Sequence, residues 1–308
     1  MQVAVVIPVR NRPELLVQSL SFLAKQDFRP NEYEVLVCDD GSTEDLQPVV
    51  EKFSSKILNL RFLRQEPKGP AAARNLGVRE SVSPIVVFMD SDILPHRGMI
   101  LHLVTALDQN PDWMGAEARI KSIGEDQSPL WDGPVCDNGK RYHTAAIAYR
   151  RDAVDKAGGF DETFKLPACE DVDLAARILK KGSIGFVPEA IAYHPIRPIA
   201  LQTHWRWRHH WKYEMILAKR YGFLSFPEHP AGPYPRLRVA LAAVVTLPAG
   251  RFIGGVKYIK HKPSDGMLAC LYALFDVFCG FLALPSILFS YIPLQRNYLS
   301  NHIEDTGQ

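Results

Sequence analysis

Acidic side chains that could bind a cation or accept a proton are concentrated in three short clusters. The clusters are Asp39–Asp40, Asp90–Asp92 and Glu170–Asp173. The first two follow apolar, β-branched runs, so we expect them at the carboxyl ends of neighbouring strands, where open α/β sheets bind ligands. The third opens a helical pattern about eighty residues further along, which suits a group on the opposite wall of the same cleft. These acids predict a metal ion and a phosphorylated substrate in a two-substrate transferase.

The Asp-Ser-Asp segment at 90–92 is the strongest candidate for a cation site. Mg²⁺ and Mn²⁺ prefer carboxylate oxygens and keep positions open for substrate phosphates. Asp92 is the expected direct ligand, whereas Asp90 would bind through water or contact the donor. His194 is a further candidate ligand, although a packed loop histidine is the plainer interpretation. Because Asp-x-Asp alone is often only a capped turn, the preceding strand pattern Ile85–Met89 is essential to this prediction.

Two other segments are candidates for contacts to a nucleotide. Asp39 and Asp40 precede a glycine and a serine, where a tight turn lets an aspartate accept hydrogen bonds from a base or ribose. The same residues also suit an ordinary turn and N-cap. Arg74 lies in a predicted helix that begins with Gly-Pro and continues with alanines, which allow close approach to the sheet. We expect Arg74 to reach donor phosphates or the Asp-x-Asp loop, and a surface arginine is the alternative.

Strand and helix patterns alternate along the chain. Predicted strands are Val3–Ile7, Tyr33–Cys38, Leu60–Leu63, Ile85–Met89, Met114–Ile120, Thr144–Tyr149 and Ile184–Val187. Predicted helices are Glu14–Lys25, Leu46–Phe53, Ala71–Glu80, Met99–Leu107 and Val172–Lys181. This alternation predicts an α/β fold with a mostly parallel central sheet and right-handed crossovers. The Gly-, Asp- and Pro-rich loop at 124–139 is long enough to serve as a lid.

Composition and cysteine spacing indicate the general class of the protein. With 308 residues, 47% apolar and 23% charged, the chain is long enough for one large α/β domain and an appendage. The five cysteines include no Cys-x-x-Cys pair, so we expect reduced thiols in a cytosolic setting and no structural zinc site. The apolar run Val3–Pro8 is too short for a signal sequence, so secretion is not expected.

The charge is unevenly distributed. Residues 196–265 contain twelve Lys and Arg against three Asp and Glu, a net +9, and since the whole chain carries +2 the remainder carries −7. This basic part includes Trp205–Tyr221, where Trp211, Met215 and other apolar residues recur at three- and four-residue steps, as in an interfacial amphipathic helix. Basic residues beside long apolar segments suit anionic lipid better than nucleic acid, and a solvated basic helix is the alternative.

Two apolar segments follow a Pro-rich link at Phe226–Pro235. Val239–Gly250 is too short to cross a bilayer, and Pro248 is expected to break its helix. Met267–Phe289 exceeds the ~20 residues that a crossing needs, although it contains Asp276 and a proline. We therefore expect a C-terminal helical extension that is associated with a membrane, and a buried core helix or a dimer interface is the alternative.

Six motifs follow one another in a recognisable order. They are Ile7-Pro8-Val9-Arg10-Asn11-Arg12, Asp39-Asp40-Gly41-Ser42, Gly69-Pro70-Ala71-Ala72-Ala73-Arg74-Asn75, Asp90-Ser91-Asp92, Gly158-Gly159-Phe160-Asp161-Glu162 and Glu170-Asp171. The series, over residues 1 to about 195, resembles the family 2 glycosyltransferases. The resemblance implies a GT-A fold, a nucleotide-sugar donor, a divalent Mg²⁺ or Mn²⁺ ion, and transfer with inversion at the anomeric carbon.

The resemblance also implies roles for individual residues. Asp40 would contact the nucleotide base, Asp90 would lie against the donor, and Asp92 would bind the metal. Asp171 would be the general base that takes the proton of the acceptor hydroxyl. Glu170 is the competing candidate, because the sequence does not separate these adjacent acids.

The remaining implied positions complete the two sides of the site. The donor side would also include Pro8, Arg10, Asp39 and Arg74, and the acceptor side Gly159, Phe160 and Asp161. Residues 1–195 would form the catalytic domain, 196–235 a basic aromatic helix with its link, and 236–308 an apolar membrane-associated region with a polar tail.

Two departures from the family pattern bear on function. Many members have tyrosine where this chain has Arg10, which weakens the expectation of a UDP-sugar donor but leaves it favoured. No Gln-x-x-Arg-Trp follows the acids, so addition of a single sugar is favoured over processive synthesis. We expect metal-dependent transfer of one sugar to a lipid-linked or cell-envelope glycan at the cytoplasmic face of the cell membrane. The alternative is a non-catalytic binding or assembly component with the same fold.

Overall fold

A computed structural model describes residues 1–124, 130–132, 134–198, 201–223 and 235–289 of the protein. The strands are β1 Val3–Val9, β2 Tyr33–Asp39, β3 Leu60–Arg64, β4 Ile85–Met89, β5 Leu94–Pro95, β6 Trp113–Ile123, β7 Trp131–Asp132, β8 Ala146–Arg150, β9 Ser183–Pro195 and β10 Arg197–Pro198. The helices are α1 Pro13–Leu23, α2 Gln47–Glu51, α3 Pro70–Glu80, α4 Met99–Gln109, α5 Arg151–Lys156, α6 Glu170–Ile178, α7 Leu201–Tyr221, α8 Pro235–Leu241, α9 Leu247–Tyr258 and α10 Pro263–Phe289.

The central sheet has eight strands in the order β3-β2-β1-β4-β8-β6-β9-β5. The pairs β2–β3, β1–β2, β1–β4 and β6–β9 are parallel, and the other three are antiparallel. The predicted α/β fold with a mostly parallel sheet is confirmed. Because β1 pairs in parallel with both β2 and β4, the carboxyl ends of these strands lie at one edge of the sheet. The first two acidic clusters, which follow β2 and β4, therefore lie at the same edge of the sheet.

Helices cover both faces of this sheet, which explains why the strand sequences have no polar side. Along β1, Val3, Val5 and Ile7 pack into a cluster with residues of α1 and α4. The alternate residues Ala4 and Val6 pack into a second cluster with residues of α3 and α6. The two-residue period of a strand thus supplies both cores from one apolar run.

Helix α3 lies close to the sheet because its residues are small. Gly69, with φ of 101°, precedes the helix, and a Cβ at this position would lie 2.7 Å from the Lys165 carbonyl oxygen. A Cβ at Gly77 would lie 2.4 Å from Cγ1 of Val6. Neither site has room for a side chain, so the predicted close approach of α3 is observed. This approach brings Arg74 to the edge where the acidic clusters lie.

Helix α7 packs between the α/β domain and the C-terminal helices. Tyr213 and Leu217 contact a cluster with Phe164 and Val172. Met215 is 5% exposed and packs with residues of α8 and α10. The apolar stripe that indicated an interfacial helix is therefore covered by protein at Met215.

The C-terminal region is a helical hairpin. Residues 235–258 are helical throughout, because a π-helical turn at Ala242–Thr246 joins α8 to α9. The prediction that Pro248 breaks this helix was wrong: Pro248 lies in the first turn of α9, and the wide π turn accommodates a residue without an N–H group. Leu237–Tyr258 and Pro263–Pro285, with mean hydropathies of 1.7 and 2.1, are long and apolar enough to cross a membrane.

Two sequence predictions concern residues outside the described ranges. The predicted lid includes residues 125–129 and 133, and the Pro-rich link Phe226–Pro235 includes residues 226–234, all outside the described ranges. Of the lid region, the structure describes β7, which pairs in antiparallel fashion with β10.

Candidate active site

The turn after β2 is tied to the loops after β1 and β3 by hydrogen bonds. The Asp39 carboxylate accepts a hydrogen bond from the Ser42 backbone N–H at 2.9 Å. The Asn11 backbone N–H donates to Ser42 Oγ, also at 2.9 Å. The Asp40 carboxylate accepts hydrogen bonds from the backbone N–H groups of Lys68 at 2.8 Å and Gly69 at 2.9 Å. Asp40 thus fixes the loop that starts α3, and its predicted contact to a nucleotide base stays a prediction.

Arg74 joins the second acidic cluster to the third. Its guanidinium group, 3% exposed, donates to Asp90 Oδ1 and to Glu170 Oε1, both at 2.8 Å. Glu170 is equally buried, whereas Asp90 is about one third exposed. Burial raises the pKa of Glu170, and the charge of Arg74 opposes that rise. The predicted link between Arg74 and the Asp-x-Asp loop is present, and Arg74 is not a surface arginine.

Asp92 lies in a pocket of basic side chains. Its Oδ2 atom accepts hydrogen bonds from Arg12 at 2.6 Å and from Arg197. His194 Nε2 lies 3.5 Å from the Oδ1 atom of Asp92. That Oδ1 atom is buried and, among the described residues, has no hydrogen-bond partner. A carboxylate oxygen without a protein partner and a neighbouring imidazole nitrogen could together serve as ligands for a divalent cation.

The protonation of His194 is compatible with metal binding. Its Nδ1 lies 2.9 Å from the Pro195 carbonyl oxygen, so Nδ1 carries the proton. Its Nε2 therefore has a free lone pair, which accepts a hydrogen bond from Arg197 at 2.9 Å. Burial lowers the pKa of His194, and the Arg197 charge adds to this effect against the opposing charge of Asp92. His194 is therefore neutral, and a metal ion at Nε2 would replace the hydrogen bond from Arg197.

Asp171 lies at the first turn of α6 and faces a histidine. His143 Nδ1 lies 3.5 Å from Asp171 Oδ2, and Asp171 Oδ1 accepts a hydrogen bond from the Val172 backbone N–H at 2.8 Å. Burial alone would raise the pKa of Asp171, but the hydrogen bond and charge of His143 outweigh it and lower the pKa. The interaction with Asp171 in turn raises the pKa of His143 against the effect of burial. Asp171 is therefore held in its ionised form.

Asp173, the last acid of the third cluster, makes contacts that stabilise the fold. It is fully buried and accepts hydrogen bonds from Arg177, Arg220 and the Tyr221 hydroxyl. These partners lie on α6 and α7, so Asp173 holds the two helices together. Its charge is balanced within the core.

The other predicted positions differ in their surroundings. Pro8 is buried in β1 and Arg10 is exposed at its end. Phe160 is 3% exposed and packs edge-on against Phe88, with 4.9 Å between ring centroids, so its ring belongs to the core. Asp161 pairs with Arg220 at 2.7 Å. The acceptor-side role of Gly159, Phe160 and Asp161 stays a prediction.

Sequence reasoning missed several side chains that contact the acids. Arg12 lies in the first motif but was assigned no role, and Arg197 lies beyond the predicted catalytic domain. His143 precedes a strand without any distinctive pattern around it. The buried Glu117 carboxylate accepts a hydrogen bond from the Arg141 backbone N–H at 3.1 Å, which fixes the segment that carries His143. All of these contacts span long stretches of sequence, and local patterns do not encode them.

Solved structures with this fold are glycosyltransferases of the GT-A type. The mannosyltransferase PcManGT from Pyrobaculum calidifontis, solved with GDP-Man and Mn²⁺, superposes with a TM-score of 0.62 at 18% identity, over 94% of this chain and 88% of that chain. TarS 1–349 of S. aureus, solved with UDP-GlcNAc, gives 0.56 at 19% identity, over 92% and 90%. At such identities the likeness shows the fold alone. The fold and site define a GT-A-type protein.

Sequence comparison identifies the family. Residues 4–135 match the family model "Glycosyl transferase family 2". Glycosyltransferase AglE of Haloferax volcanii is 28% identical over 207 residues, 64% of this chain and 67% of AglE. The pre-mycofactocin glycosyltransferase of Mycobacterium tuberculosis is 32% identical over 213 residues, 63% of this chain but only 43% of that protein. Residues 4–135 thus form a domain similar to glycosyl transferase family 2, and the chain spans less than half the length of the second relative.

Replacing Arg74 with methionine should destabilise the protein strongly. The substitution leaves Glu170 buried without its cation, and breaking a buried ion pair in this way costs about 3–5 kcal/mol. The double variant Arg74→Met/Glu170→Met should recover most of that loss, because no unpaired charge remains. Urea unfolding followed by circular dichroism measures both effects.

A matched control for this prediction is the exposed pair of Arg97 and Asp27. Arg97→Met removes a cation whose side chain is 68% exposed, so the change in the free energy of unfolding should be much smaller. Equal losses for Arg74→Met and Arg97→Met would contradict the structural importance of the buried pair.

Proposed function

We propose that the protein transfers a single sugar, with inversion, from a nucleotide-diphosphate sugar to a hydroxyl group of a lipid-linked or cell-envelope glycan. The observation that carries the proposal is the double ion pair of Arg74, which brings the Asp-x-Asp loop and the acids of α6 to one site. Structural neighbours solved with GDP-Man and with UDP-GlcNAc support a nucleotide-sugar donor. A UDP-sugar remains the favoured donor in this proposal.

In this proposal Asp92 and His194 hold a Mg²⁺ or Mn²⁺ ion, with Asp90 as a contact through water or to the donor. When bound, the ion neutralises negative charge on the departing diphosphate. Arg12 and Arg197 form ion pairs with Asp92. Both cations therefore lie near the place where the diphosphate would bind. Guanidinium groups bind phosphate oxygens well, so these two arginines are assigned to the donor phosphates.

Asp171 is the proposed general base. It is ionised, and His143 fixes the orientation of its carboxylate by contact with Oδ2. Direct displacement needs one carboxylate that takes the proton of the acceptor hydroxyl as the new glycosidic bond forms. Glu170 is less suited to this role, because Arg74 binds one of its oxygens in the protein interior. Asp171 is therefore preferred over Glu170.

The hairpin of α8 to α10 is proposed to bind the cytoplasmic face of the cell membrane. Large apolar residues are exposed along both of its arms, among them Leu241, Phe252, Leu271, Leu274 and Phe278. Inside the hairpin, Asp276 is paired with Arg251, so its charge is balanced. Lys257, Lys260 and Lys262 lie at the turn between the arms, where they suit anionic headgroups. Lipid would cover the apolar surface that the protein leaves exposed.

Asp92→Asn should weaken the binding of Mn²⁺ together with UDP or GDP by at least ~10-fold, because a neutral amide is a poor ligand for a divalent cation. Isothermal titration calorimetry of the full-length protein measures the change. Asp137→Asn is the matched control, since this exposed acid removes the same charge elsewhere in the protein. Unchanged affinity in Asp92→Asn would sink the metal assignment.

Asp171→Asn should lower the release of nucleoside diphosphate from the active nucleotide-sugar by about 10²–10⁴-fold, the usual contribution of a general base. Nucleotide binding should be retained, because the base acts on the acceptor. Glu170→Gln provides the comparison: a large loss there with near-normal turnover in Asp171→Asn would reverse the two roles. A screen in which no nucleotide-sugar is turned over by the unmodified protein would favour a non-catalytic component of glycan synthesis.

The double substitution Leu271→Glu/Leu274→Glu should reduce co-flotation of the protein with vesicles that contain anionic lipid. Both leucines are 59% exposed on α10, so the fold should tolerate the change while the apolar surface is lost. Leu58→Glu, at a position 67% exposed in the catalytic part, is the control and should float as the unmodified protein does. Equal flotation of all three proteins would contradict membrane binding through the hairpin.

A further inference from the structure

A second group of potential metal ligands lies away from Asp92, between α6 and α7. It consists of Cys169, His210 and Glu214, which we call the thiol cluster. Cys169 Sγ lies 4.0 Å from His210 Nδ1, and His210 Nε2 lies 2.9 Å from Glu214 Oε1. One ligand atom from each residue lies within 4.8 Å of the other two. Cys169 and Glu214 are 7% and 2% exposed, whereas the His210 side chain is about one third exposed.

The backbone at Cys169 is unusual for a residue with a side chain. Cys169 is the N-cap of α6 and has φ of 68° and ψ of −8°, in the left-handed region. This conformation costs a non-glycine residue roughly 1–2 kcal/mol. The side chain makes no capping hydrogen bond that would offset the cost. A strained residue without a capping role is a candidate for a function of its side chain.

The charges around Cys169 favour a cation. Burial raises the pKa of its thiol, and the nearby carboxylates of Glu214, Asp171, Glu170 and Asp173 raise it further. Glu170 is paired with Arg74, and Asp173 with Arg177 and Arg220. Asp171 lies beside His143, and Glu214 lies beside His210. A cation at the thiol cluster would lie close to Glu214 and would stabilise the thiolate.

We propose that the thiol cluster binds one Zn²⁺ ion and thereby fastens α7 to the N-terminus of α6. Thiolate, imidazole and carboxylate form a typical zinc ligand set, and the thiolate disfavours Mg²⁺ and Mn²⁺. Tetrahedral bonds of about 2.0–2.3 Å place ligand atoms roughly 3–4 Å apart. Separations of up to 4.8 Å therefore need to close by about 1–2 Å. On binding, the thiol loses its proton to solvent and a sulfur–zinc bond forms, with water in the fourth position.

The proposed ion differs in kind and position from a metal at Asp92. Cys169 directly precedes Glu170 and Asp171, so the ion would position the acids of α6 without contacting a substrate. His210 and Glu214 are one helical turn apart on α7, so both present their side chains on the same face of that helix. The thiol cluster would act as a positioning site, and it goes beyond the proposed transferase reaction.

Titration of the full-length protein with Co²⁺, as a spectroscopic substitute for Zn²⁺, tests the proposal. Thiolate-to-cobalt charge transfer gives a near-ultraviolet absorption that an Asp92 site, which contains no sulfur, does not give. We expect this band to saturate at one Co²⁺ per chain and to disappear when Zn²⁺ is added. Cys169→Ser should abolish the band and weaken Zn²⁺ binding at this site by at least ~100-fold. Cys38→Ser, which changes a buried thiol elsewhere, should retain it.

His210→Asn is a second variant, at a side chain that is one third exposed and whose loss the fold should tolerate. It should weaken the binding of Co²⁺ by at least ~10-fold. A missing charge-transfer band in the unmodified protein, or a band that survives in Cys169→Ser, would overturn the proposal. Since the band does not depend on turnover, failure of the transferase proposal and failure of the zinc proposal are distinguishable.

Discussion

The buried ion pairs of Arg74 are the interaction on which the arrangement of the site depends. A guanidinium group that is 3% exposed is tolerated only with full compensation, and Asp90 and Glu170 provide it from two distant parts of the chain. Each of these acids is held by the same cation, so neither can move without leaving a charge unpaired in the interior. The Asp-x-Asp loop and the first turn of α6 are thereby fixed to one another.

This ion-pair arrangement requires the close approach of α3. Arg74 reaches both acids because the helix that carries it lies directly on the sheet, which the missing side chain of Gly77 permits, and because Gly69 lets the start of the helix approach Lys165. Asp40 completes the support by holding the loop that begins the helix through two backbone N–H groups. The Asp-Asp-Gly-Ser turn, the Gly-Pro start of α3 and the Asp-x-Asp loop are therefore parts of one polar framework. The nucleotide-binding role predicted for them is compatible with this structural role.

The partners of the individual acids separate reactive from structural groups. Asp173 is saturated by two arginines and a tyrosine hydroxyl in the core, and Glu170 is bound to Arg74. Asp171 contacts a partly exposed histidine, and Asp92 has a buried oxygen without a protein partner among the described residues. A carboxylate that acts on a substrate or metal needs an oxygen that protein donors do not saturate. By this measure Asp92 and Asp171 fit the roles proposed for them, and Asp173 does not. Four acids of similar sequence context thus have different chemistry because of the cations near them.

The sequence predicts what depends on short-range patterns and on the topology of parallel sheets. The apolar runs at Tyr33–Cys38 and Ile85–Met89 identify two-sided strands, and the acids that follow them are found at one edge. Arg12, Arg197 and His143 were missed, because their contacts with acids depend on how distant loops pack. The π turn before Pro248 was also missed, since a proline within an apolar run ordinarily predicts a break.

Helix α7 provides a physical connection between the site and the C-terminal hairpin. One side of α7 packs on the segment around Phe164 and on α6, and Met215 packs on α8 and α10. The hydroxyl of Tyr213 accepts a hydrogen bond from the Lys165 backbone N–H at 3.0 Å, which ties α7 to the loop before the acids. If lipid binds the hairpin, the force of that contact reaches the base-bearing helix through one packed element. The same geometry explains why the proposed ion between α6 and α7 would matter, because it would stiffen the contact that connects the hairpin, through α7, to the helix that carries Asp171.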